Sequence, residues 1–483
     1  MEFREFILAH DSDDLGALAL ARDRYDFEDF DLALTTLECR RKLRDKVPQW
    51  YAVPSLRFPF RLSAEQCSST ETALYKAALV LTFDGLGYTA GAKSAPNAAA
   101  QYSTVLNDLK NSSKCSCGVL RIADLTGGLG VDSWAFSKVA SEVLYNEMQT
   151  PLADAARHNF QELGVKNIVV RNCAVVPGPV PVIPGSSIVI PDSSHVIPSE
   201  ASVSQILGDF KPTVIYLDPA RRSSDGRKVF RLEDCQPNVL ELLPELFAAA
   251  PFVLLKLSPM ADITLVCKQL GSVRAVHVVA AGGECKELLL MLERGYEGEY
   301  DMYVYESGAV MQVLWRGDTT KLSLRDPSHG KPWAPPSYPV EGGQRFCGIT
   351  PPQKPNCHTE RSERISYLFE PGKGLLKAGA FELPCEYGLE KLGKHTHLYV
   401  GDAVPEELRP FGKCFDIIEL LPLNNKSIKE LGARYPQAEV TARNVPLTSD
   451  ELRRKLGCRS GGQVHIFGVH IDACGGNYLV VAK

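Results

Sequence analysis

The stretch Arg121-Ile122-Ala123-Asp124-Leu125-Thr126-Gly127-Gly128-Leu129-Gly130-Val131-Asp132 decides how this chain is read. An apolar run ends in an acid, a glycine-rich turn follows, and a helical pattern starts near Asp132. Glycine has no Cβ, so the backbone can close on a ligand, and a helix N-terminus offers free N–H groups to a carboxylate or phosphate. A dinucleotide fingerprint would need G-x-G-x-x-G directly after the strand, but the third position here is Ser133 and an acid precedes the glycines. An ordinary strand-to-helix turn packed by glycine is the plainer alternative, and spacing elsewhere in the chain decides between the two.

Outward from this motif, short apolar runs alternate with helical patterns, as in βαβ units around a buried parallel sheet. Strands are predicted at 118–124, 143–147, 167–171, 213–218, 252–257 and 274–280. Thr150 as a cap, Pro151 in the first turn and Gly164 as a stop predict a helix between the second and third. Ala281-Gly282-Gly283 turns the chain into 286–292, so the sheet is expected to finish in an antiparallel hairpin.

Open α/β sheets bind ligands beyond the carboxyl ends of their strands. The second strand brings Glu147 there, 23 residues after Asp124. A carboxylate at that point can accept both hydroxyls of a ribose, although capping the next helix is a simpler role. The third strand ends in Arg171-Asn172-Cys173-Ala174. The fourth runs Val214-Ile215-Tyr216-Leu217-Asp218-Pro219-Ala220-Arg221-Arg222 and delivers Asp218 to the same edge, although an Asp-Pro pair can also merely open a turn. Arg221 and Arg222 suit phosphate or carboxylate contact, or a structural ion pair. Lys256, ending the fifth run, either lies along apolar surface with its ammonium in water or touches substrate. Glu284, Lys286 and Glu287 are read as cross-strand charge pairs.

The order acid, glycine turn, helix resembles the first motif of class I S-adenosylmethionine (SAM) methyltransferases. The resemblance implies SAM as cofactor, with Asp124, Thr126, Gly128 and Gly130 against its methionine part, Asp124 toward the amino group, Glu147 on the ribose and Asn172 near the adenine, where the family usually has an acid. Asp218-Pro219 is similar to the Asp-Pro-Pro-Tyr motif of methyltransferases acting on exocyclic amines of bases. That likeness implies that Asp218 and the Pro219 carbonyl are the catalytic pair, accepting N–H bonds from the target amine. Ala220 stands for the second proline and Arg221 for the aromatic, so no ring is offered for stacking on a flipped base. Arg221, Arg222 and Lys256 are then the substrate-binding candidates. The glycine motif together with Tyr216-Leu217-Asp218-Pro219 resembles a bacterial small-subunit ribosomal RNA guanine-N2 methyltransferase.

Beyond about residue 60 the chain resembles bacterial THUMP-like class I methyltransferases more closely still. The likeness lies in Glu65-Gln66-Cys67-Ser68-Ser69, Asp218-Pro219-Ala220-Arg221-Arg222, Leu255-Lys256-Leu257-Ser258-Pro259-Met260, Gly283-Glu284-Cys285-Lys286-Glu287, Glu370-Pro371 with Leu376-Lys377-Ala378-Gly379, and Ala442-Arg443-Asn444 with Leu452-Arg453-Arg454-Lys455-Leu456. It implies a Rossmann-like α/β sheet followed by ferredoxin-like and THUMP-like α+β domains, relatives of the last binding structured RNA. The expected domains are an N-terminal helical arm (1–112), the methyltransferase domain (113–295) with a proline- and serine-rich insertion (177–204), a ferredoxin-like domain (296–410) with a proline-rich stretch (326–355), and a THUMP-like domain (411–483).

The arm mixes Asp11, Asp13, Asp14, Asp23 and Asp29 with Leu15, Leu18, Tyr25 and Phe30, as short amphipathic helices do. Ser63 and Gln66 have the spacing of a capping box opening one helix over 63–82. At the other end, an apolar run at 415–421, helices at 427–435 and 449–456, and strands at 439–443, 464–469 and 478–481 describe a small α+β module.

With 483 residues, 45% hydrophobic and 23% charged, the chain is neither disordered nor fibrous. A net charge of -5 excludes indiscriminate coating of nucleic acid. Residues 421–463, however, hold eight basic and four acidic side chains, an excess of +4 that either local RNA contact or a solvated helix face would explain. No apolar run approaches the ~20 residues of a bilayer span, and the acidic start is unlike a secretory signal, so a cytoplasmic location is expected, with free thiols. Cys115 and Cys117 have the wrong spacing for a zinc knuckle, and Cys347, Cys357, His358, Cys385, His395 and His397 are scattered, so no metal is expected. No nucleophile elbow is present. The chain is expected to be a SAM-dependent methyltransferase acting on an exocyclic amine of a base in structured ribosomal or transfer RNA. An RNA-binding protein with a non-catalytic methyltransferase fold, or a small-molecule methyltransferase, is the alternative.

Overall fold

Strand β1 (Arg121–Asp124) is buried from Ile122 to Asp124, as an apolar strand covered on both faces must be. With β2 (Glu142–Asn146), β3 (Ile168–Arg171), β4 (Val214–Leu217) and β5 (Phe252–Leu257) it forms a parallel array. The chain then turns through β6 (Val273–Ala281) and β7 (Glu284–Glu293). The strands run in the order β3-β2-β1-β4-β5-β7-β6. Strand β7 pairs antiparallel with β5, Leu288 opposite Leu257 and Glu293 opposite Phe252. The predicted hairpin thus folds its second strand inward, between β5 and β6. Strand order reverses direction between β1 and β4, and ligands bind at such a switch point. Asp124 ends one of these strands and Asp218 follows the other.

The computed structural model describes residues 2–25, 28–82, 120–178, 199–221, 231–313 and 367–483, with only the backbone at position 221. Two compact units divide the chain, residues 1–277 with 286–300, and 278–285 with 301–483. In the first, six helices precede the sheet among the described residues: α1 (Phe3–His10), α2 (Leu15–Leu20), α3 (Phe30–Lys46), α4 (Pro48–Tyr51), α5 (Arg61–Gln66) and α6 (Thr70–Leu81). The single helix expected over 63–82 is two. Cys67 and Ser69 adopt extended backbone, and the Ser69 hydroxyl, not Ser63, accepts the Thr72 N–H at 3.2 Å and caps α6. Helices α7 (Val131–Phe136), α8 (Thr150–Glu162), α9 (Val203–Leu207), α10 (Val239–Ala249) and α11 (Ile263–Leu270) lie between strands in the chain. Of the proline- and serine-rich insertion, 179–198 lies outside the described residues, while Glu200–Ala201 pairs with Ala174–Val175 and Ser202 opens α9 with a capping box.

The second unit begins with the antiparallel hairpin β8 (Asp301–Glu306) and β9 (Ala309–Val313). The proline-rich 326–355 lies outside the described residues. A seven-stranded sheet follows from β10 (Tyr367–Pro371), β11 (Glu390–Lys391), β12 (Tyr399–Gly401), β13 (Gly412–Pro422), β14 (Glu439–Arg443), β15 (His465–Ile471) and β16 (Gly476–Ala482), in the order β11-β12-β10-β13-β16-β15-β14. The short helices α12 (Lys373–Lys377) and α13 (Leu383–Glu386) fall between β10 and β11. On one face, Ile428 and Leu431 of α14 (Asn425–Arg434) and Leu452 and Leu456 of α15 (Ser449–Leu456) pack against Val440, Ile466, Leu479 and Val481. The elements predicted over 415–481 are all present at these places.

Candidate active site

Two backbone bonds stitch the glycine loop to the neighbouring strands: Leu125 N–H donates to the Tyr216 carbonyl at 3.1 Å and Gly127 N–H to that of Asn146 at 2.7 Å. A Cβ on Gly127 would lie 2.1 Å from the Tyr145 ring, whose hydroxyl donates to the Gly128 carbonyl at 2.6 Å. Gly130 precedes α7 at φ +94°, a left-handed backbone that favours glycine. Asp124 is fully buried below the loop, where it accepts the Ser133 hydroxyl at 2.6 Å and the Thr126 N–H at 3.1 Å. Burial outweighs these bonds and pushes its carboxyl up to about 8.

Glu147, just past β2, is buried. Its two oxygens accept the N–H groups of Gly128 and Gln149, each at 2.9 Å. Burial raises its carboxyl above the usual range against the pull of these bonds. Asn172 does not face the same hollow. Its amide donates to the carbonyls of Glu147 (2.7 Å) and Met148 (3.3 Å) and accepts the Thr150 hydroxyl (2.9 Å), so its short side chain is used in holding the β2 tip.

Asp218, just past β4, is tied to the glycine loop because its N–H donates to Thr126 Oγ1 at 2.6 Å. Its carboxylate, 38% exposed, meets the Lys256 ammonium at 2.6 Å. The Lys256 side chain is neither in water nor free: it is 13% exposed and also lies 3.8 Å from Glu287. Burial alone would lower its pKa, but the carboxylates of Asp218, Glu287 and Asp132 overcome that and hold it charged. Glu287 does face a charge across strands, that of Lys256 on β5, but not at the surface. It is buried and receives the Lys76 ammonium at 2.7 Å. Lys76 and its pairing with Glu287 escaped sequence reasoning. The available signal was a lone charge in each of two apolar runs, Ala73-Leu74-Tyr75-Lys76-Ala77-Ala78 and Glu287-Leu288-Leu289-Leu290.

A cavity of about 630 Å³ collects these groups. Its walls include Asp124, Thr126, Gly128, Gly130 and Glu147, Met148, Leu152 and 173–175, and Asp218, Ala220, Gln236, Pro237 and Lys256. Leu62, Ser63 and 66–68 complete the wall, so the N-terminal segment borders the site. Pro219 is not a lining residue. Ala220–Arg221 pairs with Cys235–Gln236, and Arg222 lies outside the described residues. Among the described residues, no group of three His, Cys, Asp or Glu side chains could hold a metal ion, while Cys115, Cys117, Cys347, Cys357 and His358 lie outside them. No described helix is long and apolar enough to cross a membrane.

The THUMP domain-like family model matches residues 412–481, and that of a ferredoxin-like domain matches 367–408. No curated protein sequence matches the chain. A solved structure from Porphyromonas gingivalis, named "putative methyltransferase", is 26% identical with a TM-score of 0.66, covering 100% of this chain and 97% of that one. Two others are similar over parts of the chain. One is a 16S rRNA N2 methyltransferase of T. thermophilus in complex with AdoMet and guanosine (12% identity, TM-score 0.26, 43% of this chain, 44% of that one). The other is a SAM-dependent methyltransferase of Aquifex aeolicus (17% identity, TM-score 0.21, 39% of this chain, 88% of that one). Strand order and the full-length likeness give the chain a Rossmann-like methyltransferase fold with a cavity at its strand tips. Toward its C-terminal end the chain carries a ferredoxin-like domain followed by a THUMP domain-like one.

Proposed function

We propose that this protein transfers the methyl group of SAM to an exocyclic amine of a base in structured RNA. One observation carries the reading: the Asp218 N–H bonded to Thr126 puts the acceptor carboxylate and the glycine loop on one cavity. That cavity falls within the range of roughly 300–1,000 Å³ found for small-molecule sites. An ionised carboxylate has about four lone-pair sites, and Glu147 commits two of them to backbone N–H groups, leaving capacity for ribose hydroxyls. Thr126, Gly128 and Gly130 would border the methionine portion, while Met148, Leu152 and 173–175 supply the less polar end suited to adenine. Asp124 serves this arrangement chiefly by fixing the loop from below.

SAM, when bound, supplies an electrophilic methyl group on a positively charged sulfur. The chain's own residues then have to align the acceptor and keep water away. Asp218 accepts an N–H of the amine and directs the nitrogen lone pair, Lys256 fixes the carboxylate from behind, and Asp218 is placed to receive the proton that the nitrogen sheds. Arg221 and Arg222 are left as candidate phosphate contacts, and the Pro219 carbonyl as a second acceptor for the amine. The division at 112, 295 and 410 is part of the same reading, with the THUMP-like domain presenting RNA through exposed Arg454, Lys455 and Arg459. Mass spectrometry of nucleosides from total RNA, with and without the intact gene, tests it. One methylated nucleoside should vanish, and an unchanged set would exclude RNA as the substrate.

A further inference from the structure

Charges alternate from the N-terminal helices to the cavity. On α6 the Lys76 ammonium is fully buried, 2.7 Å from Glu287 Oε1, 3.0 Å from Ser68 Oγ and 3.3 Å from Asp132 Oδ1. Asp132 Oδ2 in turn accepts the hydroxyls of Ser68 (3.0 Å) and Tyr216 (2.9 Å). Glu287 Oε2 faces Lys256 at 3.8 Å, and Lys256 holds Asp218 at 2.6 Å. The series is Asp132, Lys76, Glu287, Lys256, Asp218, three anions and two cations, and Asp218 is its most exposed member. Buried ion pairs contribute little stability that packed apolar side chains of the same volume would not. Stability therefore gives no reason for the series to continue into the cavity.

We propose that Lys76 and Glu287 are positioning residues for the acceptor carboxylate, so that helix α6 is a working part of the active site and not merely a scaffold beneath it. This rests on the reading of Asp218 as the group that orients the acceptor. A lysine on its flexible stem has many places to put its ammonium. Glu287, which does not line the cavity, faces that of Lys256, and Lys76 keeps Glu287 in place. Without the anchor, Lys256 is left to Asp218 and the field of Asp132, and pulls the Asp218 carboxylate out of line with the amine. The same segment walls the cavity with Gln66, Cys67 and Ser68.

The test uses the full chain, tritiated-methyl SAM and RNA from cells lacking the gene. Glu287→Gln keeps the size and the Lys76 bond but removes the charge. It should keep SAM affinity, measured by calorimetry, within about twofold, while kcat for label transfer falls about tenfold to hundredfold at unchanged KM for SAM. The double variant Lys76→Met with Glu287→Met, which leaves Asp132 its two hydroxyl donors, should lose kcat to a similar extent while melting near the wild type. Wild-type kcat and pH–rate profile in either folded variant would overturn the proposal. A crystal structure of Glu287→Gln gives a readout that does not depend on the acceptor. The Lys256–Asp218 contact should shift, and one left as it is here would equally overturn the proposal. Failure of the wild type to label any RNA would instead reject the RNA reading, and the crystallographic comparison would then decide the inference.

Discussion

Asp124 and Glu147 end neighbouring strands, yet their surroundings assign them different work. Asp124 is sealed beneath the loop and raised from 3.8 to about 8. A carboxyl raised on folding contributes stability that is fully present below its unfolded value and is lost as pH climbs through the folded one. Thermal melts from pH 4 to 9 should therefore show the wild type losing ground to Asp124→Asn as pH rises, and parallel curves would refute the assignment. Gly127→Ala places a methyl within the Tyr145 ring and should cost about 1–3 kcal/mol in a denaturant titration. Asp124, Glu147 and Asp218 were legible in the sequence because an apolar run followed by an acid fixes a strand tip whatever surrounds it. Asn172 lies at the tip read for it, but its bonds to the Glu147 and Met148 carbonyls were not legible, since they depend on the path of that turn. The pairing of Lys76 with Glu287 was hidden because they are 211 residues apart in sequence and only the packed fold brings them together.

At the scale of elements, helical and strand periodicity located β1 to β7 and β13 to β16 but not β8 to β12, and it did not show which strands are neighbours. The turn at Gly282-Gly283 announced a hairpin, but the insertion of β7 between β5 and β6 rests on pairing with β5, which the local sequence does not specify. The break between α5 and α6 was missed because two serines offered competing caps, and the one at Ser69 won. Helix α6 is held to β6 by a 2.7 Å bond between the Tyr75 hydroxyl and His277 Nδ1. Burial pushes His277 down from 6.5 to about 3. A group depressed on folding stabilises above its unfolded value and ceases to as pH falls through the folded one. The midpoint of melting should drop between pH 6.5 and 3 less steeply in His277→Gln than in the wild type; equal slopes would show that His277 is not the acid-sensitive contact.

Across the whole molecule, a net charge of -5 coexists with an exposed basic set on the THUMP-like domain. Each phosphate contact removed should lower the dependence of log K on log salt by about one. Arg454→Glu with Lys455→Glu should then weaken binding of structured RNA and reduce the salt slope by about two, as read by fluorescence anisotropy between low and moderate salt. An unchanged slope would move the RNA contact elsewhere. Beneath all of this lies the claim that the cavity at the β1, β2 and β4 tips is a SAM site. Calorimetric titration of SAM into the wild type and into Glu147→Ala, with a melt to confirm folding, tests it most directly. Loss of hydrogen bonds to a charged group, each worth about 1.5–3 kcal/mol, predicts one site per wild-type chain and affinity weakened at least about tenfold in the variant. No heat with the wild type, or equal affinity in both, would contradict the account.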